Sequence, residues 1–368
     1  MRIVVAMSGG VDSSVAAALL AEQGHDVIGV SMRLYDASDT AARAAGERSF
    51  GSCCSLDDLQ DARRVAAAIN IPHYILDLAK QFDDLVVSNF VSEYAAGRTP
   101  LPCAHCNSDL KFSTLAERAE GFGAEAVATG HYARVEQDPA TGRYLLKRGL
   151  DPSKDQAYFL FSLTQSQLAH ARFPIGDRPK GEVREYARRL GLAVADKPDS
   201  QEICFIPDHD YAAFVSREAP EVARAGQIVD EQGQTLGTHG GIHRFTVGQR
   251  KGLGLGSAQT DGPLYVLQLQ PSTGDIVVGP RGSLERKTLS ASGVNWITPP
   301  PGPEGRAVTA QIRHRHHPAP ATVHATGDTS AEVVFDTPQL AITPGQAVVF
   351  YDDDVVVGGG WIDSGSEN

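Results

Sequence analysis

Positive charge and long hydrophobic runs are both scarce in this chain of 368 residues. Lys and Arg number 33 against 45 Asp and Glu, which gives a formal net charge of -12. This balance excludes a globally basic nucleic-acid binder, although it is compatible with a local basic surface. No apolar run reaches the roughly 18 residues of a membrane-spanning helix, and the run from Ile3 to Met7 is too short for a signal peptide. We therefore expect a cytoplasmic protein without a membrane partner.

Cysteine is scarce as well. Five cysteines, an odd number in a long chain, argue against a disulfide scaffold and for a reducing compartment. Apolar residues make up 42% and charged residues 21%, which excludes wholesale disorder and coiled coil. The length corresponds to two or three domains of roughly 150 residues each. The few cysteines are therefore interpreted first as chemistry and only then as packing.

Residues 1–200 alternate between strand-like and helical patterns. This alternation predicts an α/β fold in which a parallel sheet is covered by helices on both faces. The predicted strands are Arg2–Ala6, Asp26–Met32, His73–Leu78 and Ala124–Thr129. The predicted helices are Val11–Gln23, Ser55–Asn70, Phe82–Ala96 and Phe112–Gly121.

The pattern changes after about residue 205. Residues 226–270 carry Gly at short intervals, and residues 286–362 are rich in Val, Ile and Thr between Pro and Gly. Short antiparallel strands of this kind predict a small β-barrel or sandwich at the C-terminal end.

A glycine-rich loop lies directly between the first predicted strand and the first predicted helix. In Ser8-Gly9-Gly10-Val11-Asp12-Ser13-Ser14, the glycines allow close backbone approach and the helix N-terminus favours an anion. The Walker lysine and the G-x-G-x-x-G pattern are both absent. An ordinary β–α turn explains a bare S-G-G, but the complete S-G-G-V-D-S resembles the PP-loop of ATP pyrophosphatases. That resemblance implies cleavage of ATP between the α and β phosphates, with Mg²⁺ assisted by Asp12.

The cysteines suggest a second chemistry. Cys103 and Cys106 form a C-x-x-C, Cys204 lies about a hundred residues later, and Cys53 and Cys54 are adjacent. Burial as small hydrophobes, half of a zinc site and a redox pair are the alternatives. Combined with ATP activation of an oxygen, cysteines that carry sulfur favour replacement of oxygen by sulfur. A persulfide would bring the sulfur, and a second thiolate would release it.

Taken in order, many segments of the chain resemble the bacterial tRNA-specific 2-thiouridylases, the MnmA family. The resemblance covers nearly the whole chain and includes AMSGGVDSS (6–14), CNSDLKF (106–112), ATGHYAR (128–134), KDQAYFL (154–160), KPDSQEICFI (197–206) and FTVGQRKGLG (245–254). It implies a PP-loop catalytic domain over residues 1–208, a central tRNA-binding domain over 209–285 and a C-terminal β-barrel over 286–368.

The resemblance also implies the reaction. ATP would adenylate the 2-oxygen of wobble uridine 34 in the tRNAs for Lys, Glu and Gln, and sulfur from a cysteine persulfide would replace it, releasing AMP and pyrophosphate. A cysteine desulfurase and a sulfur carrier protein would supply the sulfur. We expect the enzyme to be a monomer.

Site residues follow from the resemblance, position by position. Cys106 matches the nucleophile and Cys204 the persulfide-forming cysteine. The positions that match ATP contacts are Ala6, Met7, Ser8, Gly9, Gly10, Val11, Asp12, Ser13, Met32 and Gly130. The positions that match tRNA contacts are Leu101, Pro102, Cys103, His131, Lys154, Asp155, Gln156, Arg313, His314 and Gln346.

One loop departs from the family pattern. The family's N-P-D-x-x-C-N is replaced by L-P-C-A-H-C-N, so that Cys103 stands where the family has Asp. Convergence of Cys103, Cys106 and Cys204 would allow a [4Fe–4S] cluster, as in related tRNA sulfur-transfer enzymes. We keep that cluster as the alternative to a persulfide and disulfide mechanism.

Local basic clusters are the candidates for tRNA binding. Lys180, Arg184, Arg188 and Arg189 recur at helical spacing and would form one basic face. Residues 313–317, RHRHH, are predicted to alternate along a strand. Two other classes remain open: a PP-loop ligase for a small metabolite, and a non-catalytic metal- or RNA-binding module.

Overall fold

The structure, a computed structural model, describes residues 1–35, 56–199, 203–206, 210–255 and 262–366. Cys53, Cys54 and the predicted helix start at Ser55 lie outside the described residues. The chain forms two compact units. The first comprises Met1–Val87, Pro102–His209 and Asp354–Val356, and the second comprises Ser88–Leu101, Asp210–Asp353 and Val357–Asn368. In the part of the chain that is described, no helix has the length and apolar character needed to span a membrane.

A five-stranded parallel sheet organises the first unit. Its strands are β1 (Arg2–Ala6), β2 (Asp26–Arg33), β3 (His73–Asp77), β4 (Ala126–Ala128) and β7 (Ala171–Arg172), in the order β3-β2-β1-β4-β7. The first unit also contains an antiparallel hairpin, formed by β5 (Ala133–Gln137) and β6 (Tyr144–Arg148). In β1, Ile3, Val4 and Val5 are almost fully buried, as expected where helices cover both faces of a parallel sheet. The predicted α/β fold is confirmed.

Small side chains allow the helices to approach this sheet closely. Ala16 and Ala17 of the first helix lie in one buried cluster with Val183 and Ala187. The α-helices of the unit are Val11–Glu22, Leu56–Ala68, Ala79–Phe82, Pro102–His105, Leu115–Glu120, Gln165–His170 and Lys180–Arg189. Asp83–Val87 and Cys106–Thr114 are π-helical, and Ala157–Leu160 is a 3-10 helix.

The segment around Cys106 differs from the prediction. The sequence predicted a Pro-flanked polar loop followed by a helix from Phe112, but helix begins ten residues earlier, at Pro102. Proline is well suited to the first position of a helix, because its φ is already helical and its missing N–H has no partner there. Ala104 and Leu110 are fully buried and anchor the same segment. Proline therefore marks the start of a helix here rather than a loop.

Two sheets and short helices form the second unit. The smaller sheet has the order β10-β11-β8-β9, with β8 (Gly226–Val229), β9 (Thr235–His239), β10 (Tyr265–Gln270) and β11 (Asp275–Gly279). Ile228, Val266 and Ile276 are fully buried in its core. The helices of the unit are Ser88–Ala95 and Tyr211–Glu218, with 3-10 turns at Pro220–Val222, Ile242–Arg244 and Arg281–Leu284.

The C-terminal strands close into a six-stranded β-barrel. Its strands are β12 (Glu285–Trp296), β13 (Arg306–Gln311), β14 (Ala319–Gly327), β15 (Ser330–Leu340), β16 (Ala347–Asp352) and β17 (Val355–Ser366), in the order β12-β15-β14-β13-β16-β17. β17 pairs back with β12, which removes the open edges. Phe335 and Phe350 are fully buried inside. The sequence predicted either a small β-barrel or a sandwich, and the barrel is confirmed.

The basic run RHRHH does not lie on a strand. β13 ends at Gln311, and the side-chain amide of Gln311 donates to the carbonyl oxygens of Arg313 (3.1 Å) and His314 (2.8 Å). The N–H of His316 also donates to the carbonyl of Arg313, 3.0 Å away. These bonds fold the run into turns, so the predicted alternation of its side chains is wrong.

The last strand returns briefly to the first unit. The backbone N–H of Arg148 donates to the carbonyl of Asp354 at 2.8 Å, and the Arg134 guanidinium bonds the Asp354 carboxylate at 2.7 Å. Val355 is in register with Lys147. Residues 354–356 therefore complete the β5–β6 hairpin of the first unit.

Gly176 tests the packing of the first unit. A Cβ at this position would lie 1.7 Å from the carbonyl oxygen of Ala133, whereas a Cβ on Gly181 would meet nothing within 4 Å. We expect Gly176→Ala to destabilise the protein by about 1–3 kcal/mol, because the backbone must shift to relieve the clash. Gly181→Ala, inside a helix, should be neutral or stabilising by up to about 1 kcal/mol. The midpoints of thermal unfolding of the two variants measure these changes. Equal shifts in the two midpoints would contradict the close packing of Gly176 against Ala133.

Candidate active site

The loop between β1 and the first helix folds around its own serines. Gly9 has a φ of +74°, and a Cβ there would lie 2.2 Å from the carbonyl oxygen of Asp58. The N–H of Ser8 donates to the Ser13 hydroxyl (3.1 Å), and the Ser14 hydroxyl donates to the carbonyl of Gly10 (2.8 Å). The helix that begins at Val11 directs its N-terminal N–H groups to this loop, which suits a phosphate.

Gly130 follows β4 and lies against the same loop. A Cβ at Gly130 would be 2.5 Å from the backbone nitrogen of Ser13 and 2.6 Å from the carbonyl carbon of Asp12. Only glycine allows this approach. The structure thus brings together Gly130 and the loop that the sequence assigned to ATP, while their roles stay predictions. Met32, also assigned to ATP, lies half-buried near the end of β2.

A cluster of charged side chains anchors this loop; we call it the Lys180 cluster. It consists of Asp12, Lys154, Lys180, Arg184 and Asp199. The Lys180 ammonium is buried and lies 2.8 Å from both carboxylate oxygens of Asp12 and 2.8 Å from Asp199 Oδ1. Lys154 and Arg184 also bond to Asp199, at 2.8 and 2.9 Å.

The Lys180 cluster contradicts part of the predicted basic face of helix Lys180–Arg189. Burial would raise the pKa of Asp199, but hydrogen bonds from Lys154 and Lys180 outweigh it and lower that pKa to about 2. Asp199 is therefore ionised at neutral pH. Because Lys180 and Arg184 bind this carboxylate, they are not part of a basic face presented to solvent. The predicted basic face of helix Lys180–Arg189 is wrong in those two residues.

The Lys180 cluster also bears on Mg²⁺. Asp12 accepts from Lys180 with both oxygens and from the Tyr132 hydroxyl at 2.8 Å. Protein Mg²⁺ sites often use only one or two carboxylates together with substrate phosphates. Asp12 offers one such carboxylate, but a metal ion would compete there with the ammonium of Lys180.

Lys197 makes a second anchor, which sequence reasoning missed. Its ammonium donates to the carbonyl of Gly9 (3.1 Å), to Asp58 (2.6 Å) and to Asp61 (2.8 Å). Burial alone would lower the pKa of Lys197, but the bonds to Asp58 and Asp61 raise it, so the ammonium stays charged. The sequence signal for both anchors is the tripeptide Lys197-Pro198-Asp199 (KPD) shortly before Cys204, because it contains Lys197 and Asp199.

The two cysteines assigned to sulfur chemistry lie in the same unit. Cys106 is the first residue of the π-helix and is half-buried. Cys204 is also half-buried, and its carbonyl accepts from the Tyr35 hydroxyl at 3.3 Å. Phe205 next to it packs edge-to-face on Phe82 with ring centroids 5.5 Å apart.

The predicted three-cysteine cluster site gains no support. Cys103 is exposed, unlike Cys106 and Cys204. Among the described residues, no group of three or more His, Cys, Asp or Glu is placed to hold a metal ion. The [4Fe–4S] cluster therefore stays the alternative prediction, without a ligand set among the described residues.

Several residues assigned to tRNA make internal contacts in the first unit. Asp155 accepts from the backbone N–H groups of Gly149 (3.0 Å) and Ala157 (3.1 Å). Gln156 accepts from the N–H of Tyr132 (2.9 Å), and Lys154 belongs to the Lys180 cluster. Burial lowers the pKa of His131 well below its usual value, and the charge of Lys111 acts in the same direction. His131 is therefore neutral, and Pro102 is buried.

Four of the residues assigned to tRNA lie in the second unit, whereas Cys103 lies in the first. Gln346 donates to the carbonyl oxygens of Thr99 (3.0 Å) and Pro100 (3.2 Å), and Leu101 is buried. Arg313 donates to the carbonyl of Leu340 at 3.2 Å, and His314 is exposed. The tRNA roles of all these residues stay predictions.

Family models match three consecutive parts of the chain. The model described as a tRNA methyl transferase HUP domain covers residues 1–208. The one described as a tRNA methyl transferase PRC-barrel domain covers 212–280. The one described as an aminomethyltransferase beta-barrel domain covers 286–362.

Curated relatives match almost the full length. The tRNA-specific 2-thiouridylase MnmA of Geotalea uraniireducens is 52% identical over 362 residues, which are 98% of this chain and 95% of that protein. MnmA of Solibacter usitatus is 52% identical over 98% of this chain and 99% of its own length. MnmA of Acidobacterium capsulatum is 50% identical over 98% of both. On this identity and coverage, the chain belongs to the family of the tRNA-specific 2-thiouridylases MnmA.

Proposed function

We propose that this protein replaces the 2-oxygen of wobble uridine 34 by sulfur in the tRNAs for Lys, Glu and Gln, using ATP. The observation that carries the proposal is the joint anchoring of an ATP-type loop and a cysteine segment. Lys197 donates to the carbonyl of Gly9, and Asp199 pairs with Lys180, which in turn binds Asp12. Both residues lie within seven positions of Cys204. The names of the relatives support the substrate and the reaction.

The first step is adenylation. The uracil 2-oxygen attacks the α-phosphorus of ATP, the bond to the β-phosphate oxygen breaks, and pyrophosphate leaves. The loop from Ala6 to Ser13 holds the phosphates through backbone N–H groups and the Ser8 and Ser13 hydroxyls. Met32 contacts the adenine, and Gly130 lets the end of β4 approach the loop. When bound, Mg²⁺ neutralises phosphate charge, with Asp12 as its carboxylate from this chain.

The second step is sulfur transfer. Cys204 carries a persulfide, whose terminal sulfur attacks C2 of the adenylated uridine and expels AMP. The Cys106 thiolate then attacks the Sγ of Cys204 and forms a Cys106–Cys204 disulfide. The electron pair of the broken S–S bond stays on the transferred sulfur, which becomes the 2-thiocarbonyl. A two-electron thiol reductant restores both cysteines before the next turnover.

The partners and the domain roles belong to the same proposal. A cysteine desulfurase and a sulfur carrier protein load Cys204, and the enzyme acts as a cytoplasmic monomer. Residues 1–208 bind ATP and carry the chemistry, residues 209–285 bind tRNA, and residues 286–368 form the barrel. The tRNA contacts are Leu101, Pro102, Cys103, His131, Lys154, Asp155, Gln156, Arg313, His314 and Gln346.

Substrate dependence tests the reaction. Purified protein with ATP, Mg²⁺, a cysteine desulfurase with cysteine as persulfide donor, a thiol reductant and an unmodified tRNA-Lys or tRNA-Glu transcript should form AMP and 2-thiouridine, because adenylation requires the 2-oxygen at position 34. Chromatography of AMP and mass analysis of nucleoside 34 measure the two products. A transcript with adenosine at position 34 is the control and should yield neither. AMP formation that depends on a small metabolite, and not on tRNA, would identify a PP-loop ligase instead.

The cysteines can be separated by substitution. Cys106→Ser and Cys204→Ser should each lower 2-thiouridine formation more than about 100-fold, because each removes a sulfur that reacts. Binding of ATP and tRNA should persist in both variants. Cys103→Ser is the matched control; measured at saturating tRNA, because Cys103 is also a proposed tRNA contact, it should change the rate less than about threefold, since Cys103 takes no part in the persulfide route. A loss in Cys103→Ser equal to that in Cys106→Ser would support the iron–sulfur alternative and contradict the persulfide route.

A further inference from the structure

The helix that begins with Cys106 has an unusual pitch. Residues Cys106–Thr114 are π-helical, with hydrogen bonds between residues five apart rather than four. Each turn therefore contains more residues than the 3.6 of an α-helix. In an α-helix, the residue five positions after Cys106 would point well away from it. In the wider π-helix, that residue, Lys111, lies on the same side as Cys106.

A hydrogen bond fixes Lys111 on that side. Its ammonium lies 2.9 Å from Oδ1 of Asn107, the neighbour of Cys106. Asn107 is buried, and its amide nitrogen donates to the carbonyl of Phe159 at 3.1 Å. Asn107 is thus held by its other end, so that its oxygen is a stationary acceptor for the lysine.

A second observation shows where the charge of Lys111 is felt. That charge contributes to lowering the pKa of His131, after burial. His131 follows Gly130, which lies against the phosphate loop. Phe173 packs edge-to-face on both Phe112 of the Cys106 helix and His131, with ring centroids 5.7 and 6.0 Å apart, so the helix that bears Lys111 lies near the end of β4.

The other charged groups on this helix and on the elements packed against it are paired with one another or exposed; on helix Leu115–Glu120 they are Glu117, Arg118 and Glu120, all exposed. On the same helix, Asp109 pairs with His105 at 2.9 Å and accepts from the Ser108 hydroxyl at 2.7 Å. The segment 79–87 packs against this helix and bears Lys80, Asp83 and Asp84. Asp83 and Asp84 are exposed, and Asp84 pairs with Lys80.

We propose that the ammonium of Lys111 stabilises the thiolate of Cys106, which makes Lys111 a positioning residue for sulfur transfer. The thiolate is the nucleophilic form of cysteine, and a neighbouring lysine favours it. The thiol proton passes to solvent, and Lys111 remains charged throughout. The consequence for sulfur transfer rests on the proposed function, whereas the state of the thiol can be measured without any turnover.

The test is the pH dependence of Cys106 alkylation. Full-length protein in a Cys103→Ser background is treated with iodoacetamide between pH 5 and 10, and the modified peptide is quantified by mass spectrometry. In Lys111→Met, the inflection should move to higher pH, and the rate at pH 7 should fall about five- to tenfold, because less thiolate is present. Lys111→Arg keeps the charge and should follow the parent profile. Lys80→Met, which removes an exposed lysine, is the matched control and should also follow it.

The outcomes are distinct. An unchanged profile in Lys111→Met would overturn the proposal, since a lysine that only orders Asn107 does not affect the thiol's titration. A shift in Lys111→Met that Lys111→Arg shares would also overturn it, because the charge would then not be the cause. If the Lys111→Met profile shifts while the parent protein forms no 2-thiouridine, the proposed function fails and the inference about the thiolate stands.

Discussion

The first unit depends on one buried ammonium group, that of Lys180. It is held between the carboxylates of Asp12 and Asp199, at 2.8 Å from each. Charges removed from water are tolerated only when they are paired and hydrogen-bonded. Neither carboxylate can therefore move far without leaving the lysine unpaired. The phosphate loop, helix Lys180–Arg189 and the KPD segment are fixed to one another by this requirement.

Lys197 extends the same constraint to a second helix. By bonding the carbonyl of Gly9 together with Asp58 and Asp61, it ties the loop to helix Leu56–Ala68. Gly9 and Gly130 supply the close approaches that these bonds demand. The loop is thus held by residues from four separate parts of the sequence: helix Leu56–Ala68, the residues that follow β4, helix Lys180–Arg189 and the KPD segment that precedes Cys204.

The sequence was most informative where short-range pattern determines structure. Runs of apolar residues predicted β1 to β4 within a few residues, and two glycines before a helix predicted the tight loop between β1 and the first helix. It failed where a distant partner decides. Asp12 and Lys180 are 168 positions apart, so helical spacing alone showed a basic face where a buried ion pair exists. Two local predictions were also wrong. Pro102 begins a helix where a loop was predicted, and the side chain of Gln311 folds residues 313–317 into turns where a strand was predicted.

The return of residues 354–356 to the first unit affects how the chain can fold during synthesis. Nearly all of that unit has left the ribosome by residue 209, yet the partner of Arg134 and Lys147 emerges only after 144 further residues, those of Asp210–Asp353. Until then, the β5–β6 hairpin keeps an unpaired backbone edge, and Arg134 and Lys147 lack the carboxylate of Asp354, which they contact in addition to that of Glu136. The first unit is consequently not a simple N-terminal fragment. The last residues of the first unit are made only after most of the second unit. The first unit therefore cannot finish folding until most of the second unit has been synthesised.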